Sequence, residues 1–292
     1  MRPRWLLLVA FLAVGGCAHR DKGETDKPRL PPAKPEALEA FKDGARMVRL
    51  GPAHYDRAVE RLEAAVAIDP RLWEAHYDLG WLHLQAHAFE AAAQAFEKAT
   101  EIYPRHLPSV LGLGKAYEES ARADSAVRAY GKFLDGKPKG DEAVRVRIAL
   151  GAALRRLGKL DAAVESLREA IRLEPRSAAA LGGLGLVYEA KGQHELADLV
   201  LHRALDLKPE NKLAADLWNN LGLIALARRR DQEAFADFAE AARLDATLSE
   251  ARRNRAVVYL DCGDYDKGAA DLRELVKADP SDAAAWVALG VA

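Results

Sequence analysis

The dominant pattern in the chain is a hydrophobic stripe with the three- and four-residue spacing of amphipathic helices. In residues 71–104, RLWEAHYDLGWLHLQAHAFEAAAQAFEKATEIYP, this spacing predicts one helix that ends near His87 and a second from about Glu90 to Tyr103. Small residues stand where the two helices must approach, and Phe96 and Ala99 continue the buried stripe of the second helix. The segment is therefore predicted to be a helical hairpin.

This hairpin is repeated along the chain at a nearly fixed interval. A proline closes each unit, because it cannot donate the next helical hydrogen bond. Successive closing prolines are 34, 34, 37 and 34 residues apart, and the last gap of 71 is one 37 and one 34, with Ala246 in the place of the missing proline. A fixed period of this size indicates a solenoid. The prolines are Pro70, Pro104, Pro138, Pro175, Pro209 and Pro280.

The 34-residue pattern, with its recurrent Leu-Gly pairs, resembles the tetratricopeptide repeat (TPR) family, and the resemblance runs through residues 36–292 almost without a break. It implies an all-α, right-handed superhelical solenoid of helix-turn-helix repeats. We assign residues 36–282 to seven repeats and residues 283–292 to a partial repeat or capping helix. Because the sequence stops within that helix, it leaves open whether a further C-terminal region follows. The seven units are about 39–72, 73–106, 107–140, 144–177, 178–211, 215–248 and 249–282.

Residues 1–16, MRPRWLLLVAFLAVGG, are typical of a bacterial signal peptide. Two arginines flank a proline ahead of an apolar run that is far shorter than the ~20 residues needed to span a bilayer. The run leads into Val14-Gly15-Gly16-Cys17, which resembles the lipobox of bacterial lipoproteins. The resemblance implies that Cys17 is lipidated and that the peptide is cut before it. An ordinary secretory signal with a chance cysteine is the alternative.

Residues 17–35 are predicted to be the lipidated cysteine and a flexible tether. After Cys17 the segment is charged, rich in proline and almost free of large apolar groups, so it cannot bury enough surface to fold. Several acyl chains on one residue anchor a protein stably. We therefore expect a lipid-anchored protein of the bacterial cell envelope. In the family's sorting rules, Ala18 in place of aspartate favours the outer membrane, facing the periplasm, over the inner membrane.

Composition excludes several classes of function. A net charge of −1 provides no global field to attract nucleic acid. Cys17 and Cys262 are the two cysteines of the chain, so no disulfide framework is predicted. Arg228, Arg229 and Arg230 could form an anion patch, although a solvated helix end is the simpler interpretation. No phosphate loop, acid pair or Ser-His-Asp arrangement stands apart from the repeats, so we expect no catalysis, no cofactor and no small-molecule substrate.

Three histidines raise the alternative of a metal-dependent periplasmic enzyme. His76, His83 and His87 are seven and four residues apart, which places them on one stripe of a helix. The repeat pattern favours a structural role, because these are packing and turn positions in the other units; a pH-sensitive packing role is a third possibility. The place of His76 is held elsewhere by Val110, Leu181, Trp218 and Trp286, and that of His87 by Gly158, Gly192 and Gly263.

In TPR proteins the ligand contacts come mostly from the second, fifth, ninth and twelfth positions of each first helix, which line a groove. Most of these positions are apolar here, so the resemblance does not extend to members that clamp a carboxylate with lysines and asparagines. An apolar groove suits an extended or helical protein segment; alternatively, these side chains only pack against one another. The predicted groove consists of Tyr77, Trp81, Leu84, Leu111, Lys115, Ile148, Arg155, Leu186, Asn219, Leu223 and Val257.

Together these features predict a non-enzymatic, membrane-tethered scaffold or assembly factor that binds segments of other envelope proteins. Lipoproteins that look similar include pilotins of type IV pilus secretins, adaptors for peptidoglycan hydrolases and components of gliding-motility complexes. The sequence does not choose between pilus, cell-wall and motility complexes.

Overall fold

The computed structural model describes residues 30–280 and 282–291, which contain fifteen α-helices, one short 3-10 helix (Pro52–His54) and no strand. The predicted signal peptide, Cys17 and most of the predicted tether lie outside the described residues. The helices are α1 Pro35–Leu50, α2 Tyr55–Ile68, α3 Trp73–Gln85, α4 Phe89–Ile102, α5 Leu107–Glu119, α6 Ala123–Asp135, α7 Gly140–Arg156, α8 Leu160–Leu173, α9 Ala178–Ala190, α10 His194–Asp206, α11 Asn211–Ala227, α12 Asp231–Leu244, α13 Ser249–Asp261, α14 Tyr265–Ala278 and α15 Ala283–Val291.

The described residues divide into two compact units, an N-terminal one up to Leu173 and a C-terminal one from Glu174. In the N-terminal unit α1 packs on α2, α3 on α4, α5 on α6 and α7 on α8, and each pair contacts the next. The C-terminal unit contains the pairs α9–α10, α11–α12 and α13–α14, and α15 packs on α14. The predicted all-α, helix-turn-helix fold class is confirmed. The helices predicted within residues 71–104 end within two residues of the observed ones.

A glycine facing a large side chain sets the spacing within a hairpin. Gly185 of α9 faces Leu201 of α10, and a Cβ placed on this glycine would lie 2.7 Å from the leucine Cγ. Gly222 of α11 faces Phe238 of α12 in the same way, with 2.6 Å to the ring. Leu201 and Phe238 are fully buried. Any side chain at these glycines would force the two helices apart.

The turn between the two helices of a hairpin is made by a residue with left-handed backbone conformation. Gly158, Gly192 and Gly263 have φ angles of 70°, 70° and 80°, as predicted for glycine caps. His87 has φ 56°, which confirms its assignment to the turn. The next amide, that of Ala88, donates to the His83 carbonyl at 2.9 Å, which is the bonding pattern of a Schellman cap.

The 37-residue intervals between prolines correspond to longer first helices. Helices α7 and α11 have 17 residues each, compared with 13 in α3, α5, α9 and α13. Lys137 and Lys208, with φ 51° and 54°, lie two residues after the ends of α6 and α10, in the connections that lead to these longer helices. No helix among the described residues is long and apolar enough to cross a membrane.

Candidate protein-binding groove

In the N-terminal unit the structure brings four of the predicted groove residues together. Tyr77, Trp81 and Leu84 lie on one side of α3 and Leu111 on α5, and all four pack, half-buried, on one apolar core formed by α4 to α7. Tyr77 contacts the ring of Phe96 at a centroid distance of 5.9 Å. This arrangement is a continuous apolar surface carried by consecutive first helices.

Trp81 also contributes to packing within the unit. Its indole contacts the core of α4 to α7 and the core of α2 and α3, and it meets the Tyr55 ring edge-on at 5.5 Å. The indole Nε1 is buried and has no hydrogen-bond partner among the described residues. The side chain is therefore held by apolar contacts, and truncating it would remove core contacts whether or not it also touches a ligand.

The charged groups beside this surface are largely paired within the chain. Lys115, in the predicted groove, bonds to Glu119 on the next turn of α5. Glu118 accepts a hydrogen bond from the Tyr130 hydroxyl at 3.3 Å and lies 3.4 Å from Arg156 of α7. Burial outweighs these two partners and raises the pKa of Glu118. With most of its charges neutralised, this surface offers a partner mainly apolar contacts.

Two further groove residues of this unit lie on α7. Ile148 and Arg155 are half-buried, and they are seven residues apart on the same side of the helix. Arg145, near the start of α7, pairs with Asp141 at 3.8 Å. The predicted groove role of these two residues stays a prediction.

The C-terminal unit carries the other four predicted residues. Leu223 of α11 and Val257 of α13 occupy the ninth position of their repeats, 215–248 and 249–282, and are 43% and 36% exposed, which is high for large apolar side chains. Leu186 of α9 is half-buried. Asn219 accepts a hydrogen bond at 2.9 Å from Asn254, which ties α11 to α13. Leu223 and Val257 are thus available to a partner, whereas the side-chain oxygen of Asn219 is already bonded.

Helix α15 adds a residue that the sequence analysis did not assign to the groove. Val287 is 71% exposed and occupies the fifth position of this helix. The fifth position is one of the ligand-contacting places of the TPR pattern, so the register alone could have found it. Val287 extends the series of exposed apolar side chains formed by Leu223 and Val257.

Of the three histidines, His76 and His83 occupy packing positions on α3, and His87 forms the turn that follows it. The ring of His76 bonds through Nε2 to the Pro70 carbonyl at 3.0 Å. Burial lowers the pKa values of His76 and His83, and His87 is exposed at the turn. Among the described residues no group of three or more His, Cys, Asp or Glu side chains could hold a metal ion. The described part of the chain thus gives the metal-enzyme alternative no site.

The arginine run also has local partners. Arg228 lies 3.1 Å from Glu195 of α10, and Arg230 lies 3.2 Å from Glu233 of α12. Arg229 is the turn residue between α11 and α12, with φ 59°. This placement supports the interpretation as a solvated helix end over an anion patch.

Asp78 of α3 gives a pH-dependent prediction. Burial and the nearby Glu74 raise the pKa of Asp78 from 3.8 to about 7, against the opposing effect of Arg49. Between these two values the folded chain keeps a proton that the unfolded chain releases, so this residue lowers the free energy of unfolding as the pH rises from about 4 to about 7. We expect Asp78→Asn to melt ~3–6 °C above wild type at pH 8 and to lose this advantage at pH 4.

Thermal melts at both pH values, followed by circular dichroism, test this. Asp56→Asn, at an exposed carboxylate of α2, is the matched control and should change the melting temperature at pH 8 much less than Asp78→Asn does. If Asp78→Asn has the same effect at pH 4 and pH 8, the burial of this carboxyl has no energetic consequence.

The chain is similar in fold to solved proteins and similar in sequence to part of a longer one. A tetratricopeptide repeat protein from Parabacteroides merdae superposes with a TM-score of 0.72 at 14% identity, over 88% of this chain and 98% of that one. PilW, described as a widely conserved type IV pilus biogenesis factor, gives 0.59 at 18% identity, over 75% and 98%. Anaphase-promoting complex subunit 3 of Schizosaccharomyces pombe is 34% identical over 126 residues, which is 43% of this chain and 18% of that protein.

At these identities the solved structures show the fold alone, and the chain spans less than half the length of the first curated relatives that it matches. Family models add direct sequence evidence. A model described as TPR repeat matches residues 151–192, and models described as tetratricopeptide repeat match residues 47–106, 180–214 and 249–292. Together these models match more than half of the chain. The chain therefore belongs to the tetratricopeptide-repeat family.

Proposed function

We propose that this protein is a non-enzymatic scaffold that binds segments of other proteins along the first helices of its repeats. The observation that carries the proposal is the exposure of large apolar side chains at ligand-contacting positions of successive first helices, Leu223, Val257 and Val287. Exposed apolar side chains in register mark interaction sites more often than scattered ones do. Tyr77, Trp81, Leu84 and Leu111 provide a second apolar surface in the N-terminal unit.

The proposed setting is the bacterial cell envelope, with the repeats tethered to the outer membrane through lipidated Cys17. The lipobox-like sequence before Cys17 and the polar segment after it support this part of the proposal. The fold is also that of PilW, described as a type IV pilus biogenesis factor. Pilus assembly is therefore the first pathway in which to look for a partner, ahead of cell-wall and motility complexes.

The groove is tested by introducing charge where the partner is expected to bind. Leu223→Asp combined with Val257→Asp should reduce recovery of co-purifying envelope proteins at least roughly tenfold, because a buried apolar anchor commonly contributes ~2 kcal/mol or more to an interface. Both side chains are exposed, so the melting temperature should hardly change. The measurement is a quantitative pull-down from solubilised membranes, with circular dichroism on the same preparation.

Leu199→Asp is the matched control. Leu199 is 65% exposed but lies on α10, a second helix, outside the predicted groove. We expect this variant to recover partners as the wild type does. Equal loss in the control and in the groove variant would show that the first helices have no special role.

A further inference from the structure

A cavity of about 380 Å³ lies between α4 and α6 of the N-terminal unit. Val110, Leu113 and Tyr117 of α5 form its floor, spaced by three and four residues and so on one face of that helix. Leu111 and Lys115, which belong to the predicted groove, lie on another face of α5. The cavity is therefore a different site from the groove.

The cavity lies where other repeats of the same chain place a ring. Val110 is the fourth residue of its first helix, a position that is histidine in α3 and tryptophan in α15. The His76 ring bonds to the carbonyl of Pro70 at 3.0 Å, and the indole N–H of Trp286 donates to the carbonyl of Pro280 at 3.1 Å. Pro104 is the equivalent proline for α5, and it lines the cavity. The Val110 side chain has neither a ring nor a hydrogen-bond donor for the Pro104 carbonyl.

Trp218, the fourth residue of repeat 215–248, shows that an indole fits at this repeat position. Its side chain packs on the core that contains Ala241, 23 residues further along the chain. The residue 23 positions after Val110 is Phe133, which lines the cavity. In repeat three the large side chain of this pair, Phe133, is on α6 and the smaller one, Val110, is on α5, and both line the cavity.

The α6 wall carries spare positive charge. Arg122, Arg128 and Lys132 line the cavity, and none of them forms an ion pair with another described residue. Arg128 donates to the Ser125 hydroxyl at 2.8 Å, and the Arg122 guanidinium lies 4.7 Å from the centre of the Tyr117 ring. Neither contact neutralises a charge.

The two glutamates of the opposite wall already have partners within the chain. Glu97 of α4 accepts the hydrogen bond of the Tyr117 hydroxyl, and burial together with this carboxylate raises the pKa of Tyr117 to about 12. Glu101 pairs with Lys98 at 2.9 Å. A ligand that enters the cavity therefore meets an apolar floor, a proline carbonyl and three cations without carboxylate partners.

We propose that this cavity receives a tryptophan side chain of a partner protein, presented beside a carboxylate. The ring would rest on Val110 and Leu113 and direct its N–H toward the Pro104 carbonyl, in the manner of Trp286. The neighbouring carboxylate would meet Arg128 and Lys132. The site acts independently of the groove and would let the protein hold a second segment on a different face.

N-acetyltryptophan, its amide and N-acetylleucine are the probes, titrated into the isotope-labelled protein and followed by NMR. We expect saturable shifts at Val110 and Phe133 with N-acetyltryptophan, roughly fivefold weaker binding of the amide, which has no carboxylate, and no saturation with N-acetylleucine. Equal binding of all three probes, or no saturation by the first, would overturn the proposal.

Variants locate the binding to this cavity. Val110→Trp with Phe133→Ala recreates the pairing of Trp218 with Ala241 and should fill the space, so that N-acetyltryptophan no longer binds. Lys132→Ala leaves the floor and Arg128 intact and should reduce the preference for the acid over the amide. The Leu223→Asp groove variant should bind the probes as the wild type does. Undiminished binding by the filled variant, or an unchanged preference in Lys132→Ala, would contradict the assignment.

Discussion

Gly185→Leu is expected to lower the free energy of unfolding by ~3 kcal/mol, because it places a large side chain where two helices are in close contact. A Cβ at this position would already lie 2.7 Å from both Cγ and Cδ2 of Leu201, which is fully buried. The three further carbons of leucine would separate α9 from α10. Protein interiors are packed too densely to absorb that volume without strain.

Gly131→Ala is the matched control for this prediction. Gly131 lies in α6, and a Cβ there would meet nothing within 4 Å. Alanine is the better helix former, so the control should gain ~0.5–1 kcal/mol. Urea denaturation followed by circular dichroism compares the two. Equal midpoints would show that the hairpin does not depend on close approach at Gly185.

A second pair of variants asks whether the contact itself is responsible. Gly185→Ala should destabilise the protein because its Cβ meets Leu201, and Leu201→Ala should do so by leaving a cavity. In the double variant the new methyl group occupies part of that cavity. The double variant should therefore be more stable than the sum of the two single effects predicts, and strict additivity would show that the two residues do not interact.

Cys17→Ser is expected to release the protein from the membrane entirely. The lipobox-like sequence predicts that acyl chains on Cys17 form the anchor, and no described helix can cross a membrane. Serine has no thiol to accept the diacylglyceryl group, so the variant should move from the membrane pellet to the soluble fraction. Fractionation after a high-salt wash measures this, and incorporation of labelled palmitate measures the modification directly.

Cys262→Ser is the control, because Cys262 is an exposed free cysteine of the repeats. This variant should remain in the membrane fraction and keep its lipid label. A Cys17→Ser protein that stays in the pellet after the salt wash would show that the anchor is elsewhere, and the lipoprotein interpretation would be wrong.

The fold could be predicted because the same helical-hairpin pattern recurs along the chain. A single Leu-Gly pair is weak evidence, but pairs at 34-residue intervals with a closing proline leave few alternatives to a helical solenoid. Gly158 and Gly192 identified the turn because left-handed conformations favour glycine. Ala121 and Arg229 adopt the same conformation, with φ 57° and 59°, and their side chains gave no sign of it.

The candidate site was less predictable, because exposure depends on neighbouring helices. Trp81 and Leu223 occupy the same repeat position, so the sequence pattern predicts the same groove role for both. In the structure Trp81 packs on two cores, whereas Leu223 is 43% exposed. The cavity beside Val110 could not be foreseen, since it depends on how Phe133 packs against a position more than 20 residues earlier.

The bounds of the helices in α7 to α14 recur at a fixed offset. Helix α11 begins and ends 71 residues after α7, and both are preceded by a lysine in the left-handed conformation, Lys137 and Lys208, again 71 residues apart. Helices α12 and α13 repeat α8 and α9 at the same offset. This is the trace that duplication of one four-helix block would leave. A block of this kind would consist of two unequal hairpins, α7 to α10, with its copy in α11 to α14.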